Sequence, residues 1–121
     1  MIKFKSLNQS SQFLKILKKK KFHTKYFTIY FDKNPNNLEK EMNKYLNISF
    51  VMKKNIGNAV IRNKVKRKLR SAVQKNFNEK NAINLNYTYV IFGKNNVYKD
   101  KFVNVLNEVK ETFKKINKVI A

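Results

Sequence analysis

The sequence predicts an α+β fold in one small domain spanning residues 1–121, with elements in the order α-β-β-α-β-α. Three observations carry the prediction. The length of 121 residues suits one domain. Three short runs, at 25–31, 45–52 and 87–92, are rich in β formers or alternate apolar with polar residues. Two longer stretches, from Ala59 and from Lys99, place apolar residues every three or four positions.

The elements follow in order. A short helix is expected over 10–18, with Ser10 as N-cap and Phe13, Ile16 and Leu17 at helical spacing. The basic run 18–21 reads as a solvated loop. In the first strand, Phe27, Ile29 and Phe31 share one face, and Tyr26, Thr28 and Tyr30 the other. Residues 32–37, Asp-Lys-Asn-Pro-Asn-Asn, form a turn-rich loop, and 38–44 add a helical turn. In the second strand Leu46, Ile48, Phe50 and Met52 point one way, with Asn47, Ser49 and Val51 the other.

An Ile56-Gly57-Asn58 turn then opens a helix to about residue 76, with Asn58 as its cap. At the helical period, Ile61, Val65, Leu69, Ala72 and Val73 fall on one apolar side. Arg62, Lys66 and Arg70 form a row beside it, and Asn63 and Arg67 continue that row away from the apolar face. Residues 77–86 are a polar connection, and Gly93 ends the third strand. The last helix, 99–118, carries the stripe Phe102, Leu106, Val109, Phe113, Ile116 and Ile120, which reads as core. Strand, helix and strand make a crossover unit, right-handed by the general rule. Two helices cover one sheet face, and the first helix with the rest of the other face forms a groove.

Composition bounds the function. The chain has 28 Lys and Arg against 7 Asp and Glu, a formal charge of +21. Such self-repulsion opposes compaction, and a polyanion is the simplest compensation. RNA, DNA and an anionic membrane all qualify. No apolar run approaches the roughly 18 residues of a membrane span, and the first residues lack the apolar segment of a secretory signal. Without cysteine there is no disulfide or thiolate metal site, so the cytosol is the expected compartment. His23, the one histidine, sits among lysines as a loop residue. The acids are scattered, and two glycines, Gly57 and Gly93, cannot make a phosphate-cradling loop. No self-contained active site is legible. Stacked cations four residues apart repel one another unless a polyanion runs along them. The row is rich in arginine in a chain that otherwise favours lysine, and the arginine fork matches phosphate oxygens.

Arg62-Asn63-x-x-Lys66-Arg67-x-x-Arg70, preceded by Ile56-Gly57-Asn58-Ala59-Val60, resembles the signature helix of the bacterial ribonuclease P protein subunit. That resemblance implies a small basic protein that partners a catalytic RNA in endonucleolytic removal of the 5′ leader from precursor tRNA. It implies a left-handed crossover. It implies no catalytic residue in the protein, no cofactor bound by the protein alone, and magnesium in the RNA holoenzyme. It assigns Lys53, Lys54, Arg62, Asn63, Lys66, Arg67 and Arg70 to RNA binding, and Phe13, Leu17 and Tyr30 to a leader-binding cleft. Leu17 stands where an aromatic is common. A Lys-Lys pair expected before the turn appears as Lys54-Asn55, with Lys53 one place earlier. The connection between the first two strands is several residues longer than the resemblance implies. Two other readings share these residues: a structural ribosomal RNA-binding protein, and a membrane-surface module with lysine-faced helices.

Overall fold

In the computed structural model, which describes residues 2–7, 10–79 and 83–120, all three expected strands form. In chain order the elements are β1 (Phe4–Lys5), α1 (Ser10–Ile16), β2 (Lys20–His23), β3 (Phe27–Lys33), the helical turn α2 (Glu39–Met42), β4 (Leu46–Val51), α3 (Ala59–Asn78), β5 (Tyr87–Gly93), the short α4 (Asn96–Lys99) and α5 (Phe102–Ile120).

One mixed sheet joins the strands in the order β1-β4-β5-β3-β2. Parallel β4 and β5 flank the crossover helix α3, and β3 runs antiparallel to β5. The register aligns Phe31 with Tyr89, Ile29 with Ile91, and Ile48 with Tyr89. Their side chains, with Phe27 and Leu46, form the core face. Helices α3 and α5 cover that face with Val65, Leu69 and Val73 from one and Val105, Val109, Phe113 and Ile116 from the other, all fully buried. Burying each such side chain contributes roughly 1.5–3 kcal/mol. The apolar stripes expected of both helices therefore meet across the sheet.

Four expectations change. Residues 18–21 do not all lie in a loop, because Lys20–His23 pairs antiparallel with β3. Phe22 stacks on Phe31 at 5.8 Å, which ties this lysine-rich edge to the core. Lysines are tolerated there because they face water on an edge and discourage further strand pairing. The two-residue strand β1 was not expected at all; Phe4 pairs in parallel with Leu46 and stacks on Phe50. The first helix ends at Ile16, leaving Leu17 just beyond it, and the capping side chain of Ser10 lies outside what is described. The last helix, expected from Lys99, begins at Phe102, and the unexpected short α4 stops at Lys99 just before it. Between them Asp100 is extended and accepts hydrogen bonds from the Tyr26 hydroxyl, the Lys101 N–H and Asn104 Nδ2. Those bonds exchange helix continuity for a tie between α5 and the start of β3.

The long connection after β3 is docked rather than free. Buried Asn34 donates from its backbone N–H to Asn86 O at 2.8 Å and from Nδ2 to Leu85 O at 3.1 Å. Thr88 Oγ1 donates to Asn34 Oδ1 at 2.5 Å. A buried amide left unpaired costs about 1–3 kcal/mol, so these bonds pin the connection beside the start of β5.

The face away from α3 and α5 carries the alternate residues: Asn47, Ser49 and Val51 from β4, Thr88, Val90 and Phe92 from β5, and Thr28, Tyr30 and Asp32 from β3. Helix α1 lies against this face and buries Ile16. The expected groove is thus present.

Candidate nucleic-acid interface

The basic ridge begins at the turn before α3. Lys54–Ile56 forms one helical turn, and Gly57 leaves it at φ +152°. A Cβ on Gly57 would approach Ile61 Cγ2 to 3.0 Å, so glycine lets the turn close against the helix it starts. Asn58 then caps α3, its Oδ1 accepting from the Ile61 N–H at 3.0 Å.

The ridge residues are not equivalent. Arg62 is half-buried, and its Nη1 donates to Gly57 O at 2.9 Å. It therefore braces the turn while keeping other guanidinium donors for a ligand. Lys66, Asn63 and Arg67 are exposed. Arg70 stacks over the Phe4 ring at 4.6 Å, so the unexpected strand β1 orients the last arginine of the row. On the opposite flank, Lys64 lies over the Tyr98 ring at 5.8 Å and Lys68 donates to Asp100 O. Those two cations face α4 and α5, while the Arg62–Lys66–Arg70 row faces the β1 edge of the sheet.

The cleft assembles on the open face. Phe13 reaches down from α1 to the ring of Phe92, with centroids 6.2 Å apart. Tyr30 meets the same ring edge-on at 5.6 Å. Phe13, Tyr30 and Phe92 are all half-buried, so none is sealed into the core. Leu17 is also half-buried, just past α1. Phe92 thus links the two expected aromatics, and sequence reading missed it. The signal was available: in β5 it alternates with Tyr89 and Ile91, which point into the core.

Cations surround the rings. Lys53 Nζ lies 5.5 Å from the Phe92 centroid, and Lys21 Nζ lies 5.7 Å from that of Tyr30. Lys53 therefore belongs to the cleft, whereas exposed Lys54 stays on the turn leading to α3. Beyond Phe92 the cleft opens into a depression of about 330 Å³ lined by Thr28, Lys53, Asn55, Gly93, Lys94 and Asn95. His23, on β2 rather than in a loop, shares a 2.9 Å hydrogen bond between Nδ1 and Thr28 Oγ1 at this rim. The combination of half-buried aromatic rings, ammonium groups over them and a groove fits unpaired nucleotides, whose bases stack and whose phosphates are neutralised.

The paired glutamates lie elsewhere. Glu79 pairs with Lys110 at 2.6 Å, Glu41 with Lys44 at 3.4 Å and Glu111 with Lys114 at 3.5 Å, all away from the ridge. Among the described residues no cluster of three His, Cys, Asp or Glu side chains could hold a metal ion, and no helix is long and apolar enough to cross a membrane.

The family model for ribonuclease P matches residues 1–117. Among solved structures, the RNase P protein of Thermotoga maritima superposes with a TM-score of 0.68 at 24% identity, covering 92% of this chain and 96% of that one. The same protein in complex with 1-(4-fluorophenyl)-2-thiourea gives 0.67 at 27% identity, covering 85% and 92%. The RNase P protein of Staphylococcus aureus gives 0.62 at 22% identity, covering 96% and 97%. Among curated proteins none matches this chain.

Proposed function

The chain belongs to the ribonuclease P protein family, and from that premise we propose how it serves as the protein subunit of the tRNA-processing complex. The family implies an RNA partner. In our reading that partner is the catalytic RNA, and the α3 ridge docks on it. Arg62, Asn63, Lys66, Arg67 and Arg70 present donors along one side of a helix whose other side is core. Contacts of this kind to phosphates set position without reading sequence. Lys54, on the turn leading into α3, extends the same surface.

The cleft holds the single-stranded 5′ leader of precursor tRNA. The observation that carries this reading is the half-open aromatic set Phe13–Phe92–Tyr30 with Lys53 and Lys21 over its rings. Stacking tolerates any base, which suits a subunit serving precursors with different leaders. Leu17 adds apolar contact at the edge without a π face, and Phe92 supplies the ring that Leu17 lacks.

Chemistry is assigned to the RNA. In this reading the magnesium of the holoenzyme belongs with the RNA, and the protein's part is electrostatic. The protein contributes positive potential and substrate positioning, in the cytoplasm. Family membership displaces the ribosomal and membrane-surface readings.

A leader-length series tests this. The holoenzyme, reconstituted from this chain and its cognate RNA, should bind precursors with several leader nucleotides more tightly than a one-nucleotide leader or mature tRNA. Phe13→Ala should reduce that preference, and its loss should appear in substrate affinity more than in the chemical step. A folded Phe13→Ala protein with unchanged leader-length dependence would rule the cleft out. RNA-free protein that cleaves precursor tRNA after nuclease treatment would rule out RNA catalysis.

A further inference from the structure

The open face ends, away from the depression beside Lys53, in a second cavity of about 300 Å³ between α1 and the connection after β3. Leu7, Ile16, Pro35 and Met42 give it apolar walls. Its floor carries Thr88 from β5 and Asp32 from β3. Asp32 is the one acid among the strand residues of this face. It is half-buried, and among the described residues its carboxylate has neither a hydrogen bond nor an ion pair. Lys15 and Lys33 line the rim without reaching it.

An unpaired carboxylate is conspicuous in a chain of charge +21. It repels phosphate and can only accept, so a ligand against it must offer hydrogen-bond donors. The walls require flat apolar faces, and a methionine thioether packs well on an aromatic ring. A nucleobase meets both demands, and bases in single strands present a free Watson–Crick edge. The bases differ at that edge. Guanine offers N1–H and N2–H side by side, a two-donor match for the two carboxylate oxygens, as a guanidinium is. Adenine and cytosine offer one amine beside an acceptor nitrogen. Uracil offers one N–H between two carbonyls, which face the carboxylate unfavourably.

We propose that this cavity is a guanine-selective subsite for one unstacked base of single-stranded RNA, with Asp32 as the discriminating acceptor. Gln12, on the rim, is within the cavity to donate to the remaining polar edge. The source of the base rests on the single-strand reading above; the selectivity rests on Asp32 and the walls alone.

The test uses the full chain with methyl-labelled methionine, titrated with guanosine 5′-monophosphate and uridine 5′-monophosphate. Met42 lines the cavity, while Met52 packs beside Gly93 at the depression of the leader cleft and reports on that site separately. The Met42 methyl signal should move with the guanine nucleotide at about tenfold lower concentration than with the uridine one, the selectivity of one good bidentate base contact. Met52 should not distinguish the two nucleotides, since stacking tolerates any base. Asp32→Asn should abolish the selectivity. An oligouridylate carrying one guanosine should bind about tenfold tighter than oligouridylate alone, and by the same dependence on Asp32. Equal responses to the two nucleotides in the unmodified protein, or selectivity that survives Asp32→Asn, would overturn the proposal. Loss of leader-length dependence with a selective Met42 response intact would overturn the leader reading and not this one.

Discussion

Phe92 offers the sharpest separation of packing from recognition. Its ring meets Tyr30 at 5.6 Å and Phe13 at 6.2 Å, tilted by 68° and 56°. Each such aromatic pair adds roughly 0.5–1.5 kcal/mol beyond area burial. Phe92→Leu keeps most of the apolar volume and loses both pairs, a stability cost of about 1–3 kcal/mol. Phe92→Ala also loses transfer and cavity terms; full-core Phe→Ala changes cost about 3–5 kcal/mol, and a half-open position takes the low end. A domain of this size holds about 5–15 kcal/mol, so both variants should remain folded. Recognition should suffer in both, because leucine has no π face. Stacking is worth about 1–3 kcal/mol per base, so a short labelled oligoribonucleotide should bind roughly 5- to 150-fold more weakly. Anisotropy titrations at fixed salt read the affinity, and thermal unfolding by circular dichroism reads the stability. A folded Phe92→Leu protein with unchanged affinity would refute the aromatic platform and return Phe92 to a packing role.

Three further outcomes are expected. Arg67→Ala should weaken binding to the catalytic RNA with no change in Tm, because Arg67 is exposed and has no hydrogen bond or ion pair among the described residues; Arg62→Ala should do both, losing about 1.5 kcal/mol of stability with its charged bond to Gly57 O, as filter binding and melting will show. Gly57→Ala should cost about 1–3 kcal/mol, since the left-handed backbone is strained for alanine and the new Cβ meets Ile61 at 3.0 Å; an unchanged Tm would refute this. Asp100 is held down from 3.8 to about 2, first by the Tyr26 hydroxyl and then by Asn104, Lys101 N–H and Lys25. A depressed folded pKa contributes stability that is present above the unfolded value and lost as pH falls, here from about 4 towards 2. The same bond pushes Tyr26 up from 10.0 to about 12, contributing stability that is lost as pH rises through that range. Tyr26→Phe should flatten the Tm profile at both ends.

The elements legible in the sequence are those whose signal is local and repeated. The strands around Ile29 and Ile91 announce themselves by runs of β formers, that around Ile48 by alternation, and α3 and α5 by apolar spacing sustained over several turns. The ridge is equally local, because residues four apart on a helix share a side whatever the helix packs against. So is the cap at Asn58, which needs only its own turn. The edge strands β1 and β2 lacked such a signal. Phe4–Lys5 is too short for a period, and the lysines of Lys20–His23 have weak β propensity, so pairing with Leu46 and Phe31 makes them strands.

The cleft follows the same division. Phe13 and Tyr30 were placed from the sequence by resemblance, but their meeting on Phe92 was not, because that ring lies 62 positions beyond Tyr30 in the chain. Tertiary structure also sorted the cations. It set Arg70 over Phe4 and Lys53 over Phe92, while Lys64 and Lys68 turned towards α4 and α5. Sequence alone determined that this chain is a basic α+β domain with an arginine row, since charge and periodicity are properties of the chain itself. Arg62 aside, which cations are drawn against the fold and which stay exposed depends on atoms brought together from distant segments, and only the packing of sheet and helices decides that.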